Sequence, residues 1–107
     1  SGTAPNAPTN GSGTYTSGST YYTTATFTRS TSGTTPITYY WAVYREQNYG
    51  DTTGGLWNSG SVSSSTLGGT QALPQQSWTN GTTYDWARYT VYASNSYGTS
   101  STLTWWI

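Results

Sequence analysis

The side chains of this chain that could carry out acid–base chemistry are two carboxylates beside a glycine-rich loop. Glu46 and Asp51 are five residues apart at the start of the polar segment 47–55. Paired carboxylates hydrolyse glycosides when they lie roughly 5–10 Å apart, and with backbone carbonyls they can bind calcium, which takes about six to eight oxygens. No third polar group of a suitable type accompanies them. We therefore interpret both as solvated loop charges and predict no metal site.

Serine and threonine are abundant, but no residue that could activate a hydroxyl nucleophile is present. The chain contains no histidine, no cysteine and no lysine. A serine nucleophile needs a neighbouring base such as His or Lys, and without cysteine there is neither a thiol nucleophile nor a thiolate metal ligand. We therefore predict that the protein is not an enzyme and uses no cofactor.

The charge pattern excludes several classes of partner. Three basic and three acidic side chains give a net charge of zero. So few cations cannot neutralise a phosphate backbone, and we expect no nucleic-acid binding. The sequence has no apolar run of about 18 residues, so we also expect no insertion into a membrane.

Aromatic residues are the unusual component of this sequence. They make up 17% of the chain, with six Trp and eleven Tyr. Each enclosed ring buries roughly 150–250 Å², so aromatics can replace scarce aliphatics in a core. Several rings nevertheless exceed what one small core needs: Tyr22, Tyr40, Tyr44, Tyr49, Trp57, Tyr92 and Tyr97.

Two interpretations of these surplus rings remain open. They could cover sheet faces and the ends of the fold, or they could form a contact surface. In contact surfaces Tyr supplies rigid area, while Ser, Gly and Asn supply adaptable hydrogen bonds. Tyr49 and Trp57 bracket the glycine-rich loop. Our candidate binding residues are these two together with Tyr92 and Tyr97.

The elements that must position these side chains are predicted to be short β-strands. No window shows the apolar period of a helix, whereas Thr, Tyr and Trp favour strands. Turn signals every ten residues or so predict an all-β, two-sheet antiparallel sandwich of about seven to nine strands. The strands are expected at 21–30, 37–46, 71–78 with an interruption at Pro74, 83–93 and 100–107, and as one or two short pieces of 56–62 around a turn at 58–60.

The ends of the chain and its Asn-Gly pairs complete this prediction. Residues 1–20 are expected to be an extended lead-in or linker with a possible edge strand, and 21–107 the sandwich. Asn10-Gly11 and Asn80-Gly81 are turn signals. Both asparagines also fit the glycosylation acceptor pattern, which the sequence alone leaves open.

The stretch 89–98 resembles the corner between strands F and G of immunoglobulin-like domains. Tyr89 is followed two residues later by an inward Val91, and the stretch ends in an Asn-x-x-Gly turn. Trp41 resembles the core Trp of strand C, and Phe27 or Ala25 would take the first Cys position of strand B. Over residues 21–107 the resemblance implies a disulfide-free immunoglobulin-like sandwich of the bacterial or viral kind, with fibronectin type III as the near alternative. The implied core is Phe27, Trp41, Tyr89 and Val91.

Domains of this kind usually serve as scaffolds for contact. The resemblance implies a non-catalytic structural or binding module displayed on a larger assembly, such as a bacteriophage decoration or tail domain or a bacterial surface protein. The expected location is extracellular or on a virion surface, and the expected partners are other protein subunits or surface glycans. A carbohydrate-binding module is one alternative. A self-assembling structural subunit is another, because near-zero net charge removes the usual barrier to self-association.

Overall fold

The chain folds into short β-strands, which a computed structural model describes over residues 1–79 and 84–107. Across those two ranges there is no helix, and therefore none with the length and apolar character that a bilayer crossing requires. The strands are β1 Thr9–Thr16, β2 Thr20–Thr28, β3 Ile37–Glu46, β4 Leu56–Ser64, β5 Thr70–Ala72, β6 Gln76–Thr79, β7 Trp86–Asn95, β8 Gly98–Thr99 and β9 Leu103–Trp106.

These strands form two antiparallel sheets packed face to face. In the four-stranded sheet β2 pairs with β1 on one side and with both β5 and β6 on the other. In the five-stranded sheet the order is β4-β3-β7, and β7 also pairs with β8 and β9. The predicted fold class is confirmed: the molecule is an all-β, two-sheet antiparallel sandwich, consistent with an immunoglobulin-like fold.

Alternation along the central strands decides which side chains enter the core. Every second side chain is buried from Thr23 to Phe27 in β2, from Ile37 to Val43 in β3 and from Ala87 to Ala93 in β7. A pleated strand sends successive side chains to opposite faces, so the intervening residues face outward. The core cluster contains all four residues that the resemblance implied: Phe27, Trp41, Tyr89 and Val91.

A hydrogen bond between two buried side chains joins the two sheets. The hydroxyl of Tyr89 on β7 lies 2.8 Å from the hydroxyl of Thr23 on β2, and both residues are completely buried. Burial raises the pKa of Tyr89, and the hydrogen bond with Thr23 opposes that shift in part. The bond satisfies two polar groups whose burial without a partner would be costly.

The prediction of a turn at residues 58–60 is wrong. β4 runs without interruption from Leu56 to Ser64 and pairs with β3. A Cβ atom on Gly60 would lie 2.8 Å from Cζ2 of Trp41, so the glycine is required where the strand passes the core indole. The irregularity of this strand is a bulge opposite Val43 and Tyr44, which bends a strand without ending it.

The first twenty residues contain an edge strand, because β1 pairs with β2 at one side of the four-stranded sheet. Ahead of it, residues 1–8 are held by hydrogen bonds to neighbouring loops. Oδ1 of Asn6 accepts from the backbone N–H of Thr31 at 2.9 Å, and Nδ2 of Asn95 donates to the carbonyl of Thr3 at 2.8 Å. The lead-in is therefore attached to the sandwich.

The predicted turns have different outcomes. The turn predicted at Asn10-Gly11 is wrong: both residues lie inside β1, where the pairing with β2 shifts register between Thr9 and Ser12 and Asn10 has a φ of 54°. Pro74 falls between β5 and β6, where an interruption was predicted. The Asn80-Gly81 turn, the acceptor asparagine Asn80 and the beginning of the strand predicted from Thr83 lie outside the described residues.

Candidate binding surface

The two outer faces of the sandwich differ in the side chains that they present to solvent. We call the outer face of the four-stranded sheet the hydroxyl face. Its members are mostly small alcohols, namely Ser12, Thr14, Thr16, Thr24, Thr26, Thr28, Thr70 and Ser77, with Tyr22 among them. We call the outer face of the five-stranded sheet the aromatic face. Its larger side chains are Tyr40, Tyr44, Trp86, Arg88, Tyr92 and Trp106.

Two tyrosines form a stacked pair in the half of the aromatic face nearer the Ile37 end of β3, which we call the upper half. Tyr40 on β3 is directly opposite Tyr92 on β7. Their ring centroids are 5.3 Å apart with an interplanar angle of 22°, and the residues remain 43% and 37% exposed. Stacking of this kind contributes about 0.5–1.5 kcal/mol beyond buried area. We call these residues the tyrosine pair; its rings are fixed in position and still open to a ligand.

A shallow groove of about 500 Å³ lies beside the tyrosine pair. It forms because the small Ala42 separates Tyr40 from Tyr44 along the outer side of β3. The lining combines aromatic rings with hydroxyl groups and contains no charged side chain: Tyr40, Trp41, Ala42, Tyr44, Ser59, Gly60, Ser61, Thr90 and Tyr92. A second depression of about 450 Å³ shares Tyr40 and continues toward Thr38 and Asn95. Together they make an open, uncharged path across the upper half of this face.

The lower half of the aromatic face, toward the Glu46 end of β3, is closed by a buried ion pair. Nε of Arg88 donates to Oε2 of Glu46 at 2.8 Å, and the two side chains are 12% and 1% exposed. The backbone N–H of Gly54 donates to Oε1 of Glu46 at 2.7 Å. The Arg88 guanidinium also lies 3.9 Å from the centroid of the Tyr44 ring. The interpretation of Glu46 as a solvated loop charge is wrong, because β3 carries this carboxylate under the loop and Arg88 neutralises it there.

The second carboxylate has a local role in the same loop. Oδ2 of Asp51 accepts the backbone N–H of Asn48 at 3.2 Å, and the carbonyl of Asp51 accepts the indole N–H of Trp106 at 3.0 Å. Within the described parts of the chain, no group of three His, Cys, Asp or Glu side chains could hold a metal ion. The two carboxylates therefore fix the loop over the lower half of the aromatic face.

The candidate residue Tyr49 extends the aromatic face beyond the ion pair. Its ring is 67% exposed and packs against Trp86 at 5.3 Å and Trp106 at 5.6 Å between centroids. β3 advances roughly 20 Å between Tyr40 and Glu46. Aromatic rings therefore recur along the face over about the length of this strand, from the tyrosine pair to Tyr49.

The other two candidate residues lie away from the aromatic face. Trp57 sits at the bulge of β4, where its ring packs against Trp78 at 6.2 Å and under the guanidinium of Arg45 at 4.3 Å. It covers one end of the sandwich. Tyr97 lies at the turn before β8 and packs so closely on Gly2 that a Cβ atom there would collide with its ring. The structure thus brings Tyr92 and Tyr49 to one face and leaves Trp57 and Tyr97 at separate places.

Sequence reasoning counted Tyr40 and Tyr44 among the surplus rings but did not assign them to a site. It also overlooked Trp86, Trp106 and the ion pair beneath them. One signal could have located the tyrosine pair. If Trp41 is placed opposite Val91, as the structure has them, the antiparallel register puts Tyr40 opposite Tyr92.

Comparison with known proteins finds no matching family model, no matching curated protein and no matching solved structure. The fold therefore rests on strand pairing and on the buried cluster. Any assignment of function has to come from the chemistry of the exposed faces.

Proposed function

We propose that this chain is a non-catalytic, immunoglobulin-like binding module whose ligand is a neutral glycan held on the aromatic face. The observation that carries the proposal is the tyrosine pair, stacked at 5.3 Å and exposed beside an uncharged groove. Tyr22, which is 41% exposed on the hydroxyl face, lies across from Thr16 and Ser77 rather than from another ring. Among the described residues, the stacked pair of exposed rings therefore lies on the aromatic face, and the tyrosine of the hydroxyl face has no ring opposite it.

The groove offers the two kinds of contact that a sugar ring needs. Aromatic rings bury the apolar C–H faces of a pyranose, and serine and threonine hydroxyls both donate and accept hydrogen bonds to its rim. Ser59, Ser61 and Thr90 supply such hydroxyls along the groove. Because no lining residue is charged, the site favours a neutral sugar over a phosphorylated, sulfated or acidic one. Its open shape suits a chain ligand better than an enclosed small molecule.

The strand order bears on which kind of immunoglobulin-like domain this is. β4 pairs with β3 in the five-stranded sheet, and the opposite sheet holds β1, β2 and the β5–β6 pair. This distribution of edge strands resembles that of fibronectin type III domains. We propose that type as the closer relative within the immunoglobulin-like class.

The setting of the module is a further part of the proposal. We place it on a larger assembly at a virion or bacterial surface, exposed to the extracellular medium. This rests on analogy with immunoglobulin-like display domains and not on a site. The Lys-free, Thr-rich composition of the chain fits a display domain of this kind.

A glycan array followed by titration tests the proposal. The chain lacks lysine, so an amine-reactive dye labels the N-terminal amine alone and leaves the aromatic face unmodified. We expect the parent to bind neutral oligosaccharides, and Tyr40→Ala and Tyr92→Ala each to bind about tenfold more weakly or worse, a loss of roughly 1.4 kcal/mol. Tyr22→Ala is the matched control, because Tyr22 has a similar exposure, and it should bind as the parent does. Equal binding by all four proteins, or no neutral glycan bound by the parent, contradicts the proposal.

A further inference from the structure

The sheet edges of the sandwich differ in how well they are protected from pairing with another chain. Edges are normally blocked by short strands, bulges, proline, charge or covering groups. β1 contains a register shift between Thr9 and Ser12, and the carbonyl of Ser12 accepts the indole N–H of Trp105 at 3.1 Å. β8 and β9 are two and four residues long. β5 and β6 are three and four residues long and are separated by a segment that contains Pro74.

β4 has none of these protections along most of its length. It is nine residues long, contains neither a charged residue nor a proline, and most of its side chains are exposed. Its bulge lies at the Leu56 end, so the part from Ser59 to Ser64 is a regular, accessible edge. Among the described strands, β4 is the edge that another strand can extend most readily.

The outward backbone groups of β4 can be assigned. The N–H of Ser59 donates to Oδ1 of Asn58 at 2.9 Å, so it is directed away from β3. Residues of an antiparallel strand point their backbone groups alternately to one neighbour and to the other. Ser61 and Ser63 therefore also direct their N–H and C=O groups outward, and both residues are exposed.

We propose that β4 pairs antiparallel with β4 of a second copy of this chain, so that two five-stranded sheets join into one. A strand that pairs with itself across a two-fold axis brings like side chains together, and β4 has no charge that would oppose this. Asn58 already caps Ser59, which leaves Ser61 and Ser63 to form the new hydrogen bonds. The axis then passes Val62, and each Ser61 lies opposite Ser63 of the second copy.

This pairing does not depend on the glycan proposal, but it would change how a glycan is bound. Ser61 lines the groove and lies at the seam between the two copies. The two aromatic faces would therefore form one continuous surface with a tyrosine pair on either side. When two linked sites of a dimer hold the same glycan chain, the complex binds more tightly than either site does alone.

Sedimentation and a single cysteine test the pairing. The mass of the parent should rise from 11.5 kDa toward twice that value as its concentration increases. Because the chain has no cysteine, Val62→Cys introduces a single thiol, and mild oxidation should link two copies through it. Ser59→Cys is the control. It lies on the same strand, but the two-fold pairing places the Ser59 residues of the two copies far apart along the joined strands, so it should stay unlinked.

A proline substitution separates edge pairing from folding. The N–H of Ser61 points away from β3, toward the free edge of the sheet, and forms no hydrogen bond with the described residues of the fold. Ser61→Pro should therefore keep the near-ultraviolet circular dichroism of the fold and lose the dimer. Ser61→Thr should keep both. The proposal is overturned if the parent sediments at 11.5 kDa at every concentration and Val62→Cys remains unlinked. It is also overturned if Ser59→Cys links as readily as Val62→Cys.

Discussion

The hydroxyl face and the aromatic face are produced by the same two-residue alternation, yet they present different chemistry. On the hydroxyl face the cross-strand neighbours are small alcohols, such as Ser12 and Thr26, whose oxygens lie 3.1 Å apart. On the aromatic face the neighbours are two rings, as in Tyr40 with Tyr92, or a ring and a cation, as in Tyr44 with Arg88. Hydroxyl pairs are thus sufficient to cover a sheet of this sandwich. The rings on the other face are therefore not needed merely to cover a sheet, and our proposal is that they serve binding.

Removing the cation of the aromatic face should have the largest effect on stability. In Arg88→Ala, Glu46 stays buried without its partner, and we expect the free energy of unfolding to fall by about 3–5 kcal/mol. Thr24→Ala, on the hydroxyl face, should change it by about 0.5 kcal/mol or less. Denaturant unfolding of both variants measures the difference.

A double variant shows whether the loss in Arg88→Ala comes from the unpaired carboxylate. Replacing the pair together, as Glu46→Gln with Arg88→Met, removes both charges and keeps much of their volume. We expect it to recover part of the lost stability. A loss in Arg88→Ala as small as that in Thr24→Ala would mean that the ion pair does not hold the lower half of the aromatic face.

The bond between Tyr89 and Thr23 tests whether the two faces belong to one cooperative unit. Tyr89→Phe leaves the buried Thr23 hydroxyl without its 2.8 Å partner, and we expect a loss of about 1–3 kcal/mol. Adding Thr23→Val should restore part of it, because both polar groups are then gone. If unfolding followed by tryptophan fluorescence and by circular dichroism gave different midpoints, the sheets would not unfold together.

The sequence predicted β2 and β3 well because their alternation is regular and their buried residues are large. Gly60 was misinterpreted for a physical reason. Asn58-Ser59-Gly60 has the composition of a turn, but the glycine is dictated by the indole of Trp41 on the next strand, and a contact across strands is not visible in local composition.

The candidate site was predictable only in part for the same reason. Tyr92 was counted among the surplus rings and named as a candidate, whereas its ring partner depends on the register between β3 and β7. The carboxylate of Glu46 looked solvated because Arg88 lies 42 residues away in sequence. Trp57 bracketed the correct loop, but the bulge of β4 turns it to the end of the sandwich. Long-range pairing thus decided each of these assignments.

Alkaline pH should weaken the core that both faces share. Burial raises the pKa of Tyr89 above its ordinary value of 10.0, and burial, with Tyr21 and Asp85 nearby, raises that of Tyr15 to about 12. Below pH 10 neither group affects the pH dependence of stability. Above it the unfolded chain loses these protons first, so the free energy of unfolding falls as pH rises toward about 12.

The urea midpoint at about pH 9 and about pH 11 measures this decline on either side of the ordinary tyrosine pKa. Tyr89→Phe should show a smaller decline than the parent. Tyr22→Phe, on the exposed hydroxyl face, serves as the control and should decline as the parent does. If the urea midpoint fell equally between the two pH values in the parent and in Tyr89→Phe, the buried Tyr89 hydroxyl would not be the cause of the decline.

The smallest expected effect on stability is the coupling within the tyrosine pair. A double-mutant cycle of Tyr40→Ala and Tyr92→Ala should give an interaction energy of about 0.5–1.5 kcal/mol. The same cycle on Tyr22 and Ser77, which are cross-strand neighbours on the hydroxyl face, should give roughly zero. If the two cycles agreed, the stacked pair would not distinguish the two faces.

The most direct test of the central claim is to map a bound glycan by amide chemical shifts. With labelled protein and a neutral oligosaccharide identified on the array, we expect the amides of Tyr40, Ser61 and Tyr92 to move in a saturable, common titration. The amides of Tyr22 and Thr24 should stay in place. Shifts concentrated on the hydroxyl face, or none on the aromatic face at saturating ligand, would contradict the account.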